Sequence, residues 1–471
     1  MIARRTGPAS LLRLLGNWRL NGSRDPAYRS LANALRRLIL DGSLGLETRL
    51  PGERELAAAL GLSRGTIAAA FAELRADGFL ASRQGSGSLV TLPSGLSSRR
   101  EPATKIDFSV AASPAGPAIH QAYVEALSAL PAHLSSTGYD PLGIPELRSK
   151  IAAHYTARGL PTFADEIMVV NGALAGFGLV LRLLTGPGDR VVIDHPTYPL
   201  AIAAIRAAGC RPVPVPLPPT GWDIDGLAAA IGQTAPRLAY LLPDHHNPTG
   251  RCMDAETRAA VVSIAQRTRT IIVADETMVD LWYERKPPPP LAAYGRDAQV
   301  ITLGSTAKSF WGGLRIGWIR APGPIIASLA GVRETVDPGT PVVEQLAAAR
   351  LLVDADTHLP ERRRELRDRL DMLVTAGEAI LPEWNFPRPA GGLSCWIELP
   401  RPIATRLAIE AEAIGVRIVA GPSFGIDGAF ERHIRIPFTA EVADLRGALE
   451  LLAPLGRRLA REGAPRFRTA S

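Results

Sequence analysis

The chain has 471 residues, 46% of them hydrophobic, which is too long for one ordinary core and sets two or three packed domains as the expectation. The net charge of +7 belongs to the first quarter: residues 1–105 hold 16 Arg or Lys against 8 Asp or Glu, a basic excess that suits a polyanion partner or a merely arginine-rich tail. Three isolated cysteines and no uninterrupted apolar run of spanning length exclude a disulfide scaffold, a cysteine zinc site and membrane insertion through a helix.

Residues 1–25 carry arginines broken by Gly and Pro and lack a cleavable signal pattern. They read as a flexible basic N-terminus of a cytoplasmic protein. Residues 26–41 have helical periodicity, with Leu31, Leu35, Leu38 and Ile39 on one face, and Gly42 stops them. Pro51-Gly52 leads into a short helix over Glu53–Leu60, Gly61 makes a tight turn, and Ser63 caps a third helix over 64–77. Two short strands, 79–82 and 88–91, flank Arg83-Gln84-Gly85-Ser86-Gly87. The pattern over 26–91 is a helix, a helix-turn-helix and a two-stranded wing.

Residues 92–105 are Ser, Pro and charge, and read as a linker or as a surface loop. Beyond them apolar strands predicted at 166–170, 190–194, 237–242, 270–274, 299–303 and 315–319 alternate with Ala/Leu-rich helices. That alternation predicts an α/β large domain over 106–359, with a mostly parallel sheet covered on both faces. Residues 360–456 open with an Arg/Glu-rich helix and end in short strands, a smaller α+β lobe, followed by a basic tail over 457–471.

The chemistry gathers after the strands. Four are followed at once by unusual polar residues: His195 to Pro199, Asp244 to Gly250, Asp275 to Thr277, and Gly304 to Lys308. Ligands of open α/β sheets sit outside the carboxyl ends of the strands, so these sets converge on one crevice. Lys308 is one of four lysines beside 49 arginines. Only lysine can lose its proton and condense with an aldehyde, so Lys308 reads as a Schiff-base lysine, with a surface lysine on a Gly-rich loop as the alternative.

The remaining parts suit pyridoxal 5'-phosphate. Asp275 is placed to hold a pyridine nitrogen protonated, unless it is a helix cap. Asn247 is placed to donate to the ring oxygen, although Asn247-Pro248-Thr249-Gly250 is also a good generic turn. Tyr198 is placed to stack on the ring. The amides of Ala173 and Leu174, at the start of a helix, would cradle the phosphate with Ser305 and Arg315. His245 and His246 have no third ligand at useful spacing, which argues against a metal.

Residues 171–176, 247–250, 275 and 305–315 resemble the fold-type I aminotransferases, and 26–91 resemble the GntR winged helix, notably Leu50-Pro51-Gly52-Glu53-Arg54-Glu55-Leu56-Ala57 and Leu62-Ser63-Arg64-Gly65-Thr66-Ile67. In this order the two are similar to the MocR subfamily of bacterial transcriptional regulators. The resemblance implies a PLP-dependent regulator that binds DNA as a homodimer and senses an amino compound or PLP itself. The alternatives are an active aminotransferase with an accessory DNA-binding domain, and a winged helix fused to a relic without cofactor. Turnover is left open.

By resemblance Arg435 takes the effector or substrate carboxylate, and Tyr139 lies near the dimer interface and the partner's cofactor. Two positions depart from the family pattern: Thr277 stands where a phenol is usual, and Ala68 where the recognition helix is often basic. The helix that begins at Arg64 would enter the major groove by its N-terminal end. Arg64 reads a base edge or grips phosphate alone, while Arg54, Ser63 and Thr66 hold phosphates. Gly65 contributes no side chain. Gln84 and Gly85 at the wing tip reach the minor groove. Readout per subunit is modest, so two half-sites are expected.

Overall fold

The winged helix forms around the apolar positions that share helical faces. Its elements are α1 (Pro8–Leu15), α2 (Ala27–Leu40), α3 (Glu53–Leu60), α4 (Arg64–Ala76), β1 (Leu80–Arg83) and β2 (Gly87–Val90). The structure, a computed structural model, describes residues 5–16, 18, 26–40, 44–45, 48–83, 87–91, 106–295 and 300–462. Leu31, Leu35, Ile39, Ile67, Ala70, Phe71 and Leu74 are buried together. Gly61 ends α3 in the left-handed region at φ 64°, and Ser63 Oγ caps α4 by accepting from Thr66 N at 3.1 Å. The strands pair antiparallel with Leu80 opposite Val90.

The expected flexible N-terminus is corrected over part of its length. Leu11 and Leu15, four apart on α1, are buried in the winged-helix core. Arginine density obscured this apolar pair, which lies on one helix face. Gln84, Gly85 and the expected linker 92–105 lie outside the described residues.

After β3 (Ile106–Asp107) comes a seven-stranded sheet of β4 (Ile167–Val170), β5 (Arg190–His195), β6 (Arg211–Pro216), β7 (Leu238–Leu241), β8 (Ile271–Asp275), β9 (Val300–Ser305) and β10 (Gly317–Arg320). Its order is β4-β10-β9-β8-β7-β5-β6. The pairings from β9 to β6 are parallel, and only β10 runs against its two neighbours. One face carries Val191, Ile193, Tyr240, Val273 and Leu303 under Phe177, Ile202 and Ile326. The other carries Val192, Ala239, Ile272 and Val300 under Leu227, Ile231 and Val261.

Sequence reasoning did not anticipate β6. Its alternating Pro212, Pro214 and Pro216 argue against a central strand, and β6 is indeed an edge. The prolines occupy the side with no neighbour to receive an amide hydrogen.

The smaller lobe holds β11 (Ser394–Glu398), β12 (Val416–Arg417), β13 (Val419–Ala420) and β14 (His433–Pro437), with helices Ala355–Ile380, Ala404–Ala413 and Val442–Glu462. Three expected boundaries move. β3 pairs in parallel with β12, and Phe108 and Ala111 are buried in the small-lobe core, so residues 106–111 are built into that lobe. The helix Ala355–Ile380 crosses the expected boundary at 360: Leu359 packs in the large-domain core and Leu366 in the small-lobe core. The last helix runs past 456 to Glu462 because Leu459 is fully buried. Among the described residues, no helix is long and apolar enough to cross a membrane.

Candidate functional site

The carboxyl ends of β5, β7, β8 and β9 open onto one cavity of about 240 Å³. Ala173, Leu174, Tyr198, Asn247, Asp275, Ser305, Lys308 and Arg315 all line it. Parallel neighbours bring strand ends together, which is why residues as far apart in the chain as Ala173 and Arg315 meet there.

Lys308 follows β9 on a single helical turn, Thr306–Ser309. Its Nζ donates to Ala111 O at 2.8 Å, a contact from the segment that enters the small lobe. Burial pushes the amine down to about 8; the Arg435 and Arg315 charges act in the same direction and Asp275 opposes them. Asp275, the last residue of β8, accepts from Thr277 N at 3.1 Å through Oδ1 and from Tyr240 OH at 2.6 Å through Oδ2. Asn247 is buried and its Oδ1 has no hydrogen-bond partner.

At the other end of the cavity Gly172, at φ 92°, precedes the helix Ala173–Leu184. The first helical hydrogen bond is made by Ala175 N to Gly172 O, so the amides of Ala173 and Leu174 precede the ladder. Arg315 Nη2 donates to Asn171 O at 3.2 Å, and a Cβ on Gly172 would stand 2.7 Å from that nitrogen. Ser305 Oγ accepts from Ala307 N at 3.1 Å and donates to Ile316 O at 3.0 Å. Tyr198 immediately precedes the helix Pro199–Ala207, and burial raises its phenol, with the Asp275 charge adding.

Arg435 does not line the cavity. Its Nη2 donates to Phe108 O and Ser109 O, at 3.0 and 2.6 Å, while its Nε is buried without a partner. Among the described residues no carboxylate forms an ion pair with it, and burial pushes it down to about 10. Tyr139 is 73% exposed and stands outside the cavity of its own chain.

Sequence reasoning missed Tyr240. It lies within β7, whose residues are all buried, so no alternation marked which face it takes. Asp244 and Glu276 turn away into a buried layer of ion pairs, Asp244 with Arg258 at 2.6 Å and Glu276 with Arg158 at 2.8 Å. Burial pushes His245 down to about 4 and His246 to about 3.

At the start of α4, Arg64 is exposed and its Nε lies 3.8 Å from Glu53. Arg54, Ser63 and Gly65 are exposed beside it, and Thr66 is half-buried. The Ser63 and Thr66 hydroxyls share a hydrogen bond of 2.8 Å.

Residues 104–452 match the family model described as aminotransferase class I and II. The chain belongs to that family. Residues 27–90 match the model for bacterial regulatory proteins of the gntR family, so this aminotransferase-family chain carries a DNA-binding module ahead of its larger part. Two relatives share the arrangement of a regulator. The probable rhizopine catabolism regulatory protein MocR of Rhizobium meliloti is 30% identical over 76% of this chain and 78% of its own. The uncharacterized HTH-type transcriptional regulator YisV of Bacillus subtilis is 27% identical over 94% of this chain and 99% of its own.

Among solved structures, LysN, an α-aminoadipate aminotransferase from Thermus thermophilus, superposes with a TM-score of 0.70 at 24% identity, over 76% of this chain and 94% of that one. The protein is thus a GntR-type regulator fused to an aminotransferase-like domain, on the fold of pyridoxal-phosphate-dependent enzymes. The cavity fits that cofactor: it offers a depressed lysine amine, a carboxylate, a buried side-chain amide whose nitrogen can donate, and two free amides beside an arginine.

Proposed function

We propose that this regulator senses a small amino compound, or PLP itself, at the Lys308 cavity and transmits its occupancy to a winged helix that reads two half-sites as a homodimer. The observation that carries this reading is the Lys308 amine, buried and depressed to about 8, in a cavity on the same chain as an exposed recognition-helix start. When bound, pyridoxal phosphate supplies an aldehyde for the Lys308 amine and a ring that accepts electrons. Asp275 would hold the proton on the ring nitrogen, and Asn247 would donate to the ring oxygen. Ala173, Leu174, Ser305 and Arg315 would hold the phosphate, and Tyr198 would stack on the ring. Arg435, with its unpartnered Nε, binds the carboxylate of an incoming amino acid. Tyr139, exposed in one chain, is available to the partner's site. Arg64 would read bases while Arg54, Ser63 and Thr66 would hold phosphates, and Gly65 contributes no side chain; Gln84 and Gly85, outside the described residues, are the further candidates for DNA contact.

A ligand shifts such a protein only by its differential affinity for two arrangements. The test is the visible spectrum of the purified protein before and after borohydride, followed by binding to its own promoter fragment at moderate salt. A band that borohydride removes, lost in Lys308→Ala while nonspecific DNA binding persists, is the expected result. Absence of the band even with added pyridoxal phosphate, or absence of promoter binding, overturns the reading. Lys308 and Asp275 in one cavity also support a second reading, an active aminotransferase, which predicts turnover with amino acid and 2-oxoacid pairs independent of DNA.

A further inference from the structure

We propose that Tyr240 is a positioning residue that locks the Asp275 carboxylate in the orientation required at the cofactor's ring nitrogen. The proposal rests on the reading that the cavity holds pyridoxal phosphate. Tyr240 pairs with Val273 across β7 and β8, and Asp275 lies two residues further along on the same sheet face. The tyrosine therefore reaches along the strand, and its hydroxyl donates to Asp275 Oδ2 at 2.6 Å. Its ring is held in turn by Phe177, whose centroid lies 4.6 Å away on the helix that begins the proposed phosphate cradle.

The other carboxylate oxygen, Oδ1, accepts from Thr277 N. Each Asp275 oxygen thus has one fixed donor, and two donors on two oxygens stop rotation about the Cβ–Cγ bond. A carboxylate oxygen accepts more than one hydrogen bond, so room remains for a ring-nitrogen proton. Burial, with the Asp275 charge adding to it, holds the Tyr240 phenol well above its ordinary value. The phenol therefore stays protonated and acts as a donor across the working pH range. A tyrosine serving only to fill the core would be replaced by phenylalanine at little cost, since ring packing against Phe177 is unchanged.

The experiment uses the full-length chain as wild type, Tyr240→Phe, Asp275→Asn and the double variant. Pyridoxal phosphate is titrated into each apo protein by absorbance, and the pH midpoint of the visible band and the apo thermal midpoint are recorded. Tyr240→Phe is expected to weaken cofactor binding roughly tenfold or more, the scale of a hydrogen bond to a charged group. It should also shift the pH midpoint of the band while leaving far-ultraviolet dichroism unchanged. In the Asp275→Asn background the same change should have little further effect, because the two residues act as one unit. A wild-type protein with a normal band and a Tyr240→Phe variant of unchanged affinity and pH midpoint overturns the proposal alone. An equal effect of Tyr240→Phe with and without Asp275 also overturns it. A wild-type protein that binds no pyridoxal phosphate overturns the underlying reading and this proposal together.

Discussion

Lys308 is a base held in surroundings that disfavour its charge, from an ordinary value of 10.5 to about 8. Its folded value lies below its unfolded value, so the unfolded chain binds more protons between those two limits. Stability of the apo protein therefore rises with pH across that window, and the cost of the buried charge is fully present below it. Lys308→Met should stabilise the apo protein at pH 7 and lose that advantage as pH climbs past about 8 to 10.5, which thermal melts of both proteins would read. The same depression sets reactivity: capture of pyridoxal phosphate should accelerate with pH and level off above about 8, followed as appearance of the visible band. Residues of this kind were legible beforehand because they follow strand ends. Tyr240 was not, since a strand buried on both faces gives an inward residue no signature.

At the scale of elements, the junction between β4 and the helix Ala173–Leu184 depends on one glycine. Gly172 adopts φ 92°, and a Cβ there would meet Arg315 Nη2 at 2.7 Å. Gly172→Ala should displace the guanidinium and weaken pyridoxal phosphate binding roughly tenfold, with a smaller effect on pyridoxal lacking the phosphate. Parallel titrations with the two compounds check this. α1 offers a second case. Leu11 is fully buried in the winged-helix core, so Leu11→Ala should destabilise that module by about 2–5 kcal/mol, seen as an earlier melting step and lost DNA binding with the visible band retained. The helix was overlooked because charge and breakers dominate residues 1–25, and its apolar stripe is only two turns long. The edge strand β6 was overlooked for the opposite reason, its prolines reading as a breaker until a free edge accommodates them.

Across the whole molecule, the winged helix rests on the small lobe. Arg37 Nη1 lies 3.1 Å from Glu431 Oε1, and Glu431 also accepts from Thr405 N and Oγ1, at 3.0 and 2.7 Å. Ile409 packs against the winged-helix core, and a Cβ on Gly428 would meet the Arg37 guanidinium at 2.8 Å. The segment that bears Glu431 is tied to the cavity rim: Ile426 N donates to His195 Nε2 at 3.1 Å, and Thr197 N donates to Phe424 O at 2.8 Å, next to Tyr198. Arg37→Ala should leave the visible band unchanged and increase hydrogen exchange at amides 425–431. Unchanged protection there would mean that the contact carries no stability in solution.

The sequence by itself determined the order of the two modules, the helices and wing over 26–91, six of the seven strands of the large sheet, and the polar sets at four strand ends. These follow from local rules: periodicity, caps, turn chemistry, and the placement of ligands beyond parallel strands. Only the tertiary structure decided which strand forms the edge, how residues 106–111 enter the small lobe to meet Lys308 and Arg435, and that Tyr240 grips Asp275. Those contacts join residues far apart in the chain, and their partners are chosen by sheet register and by which faces pack, quantities that no short window of sequence contains.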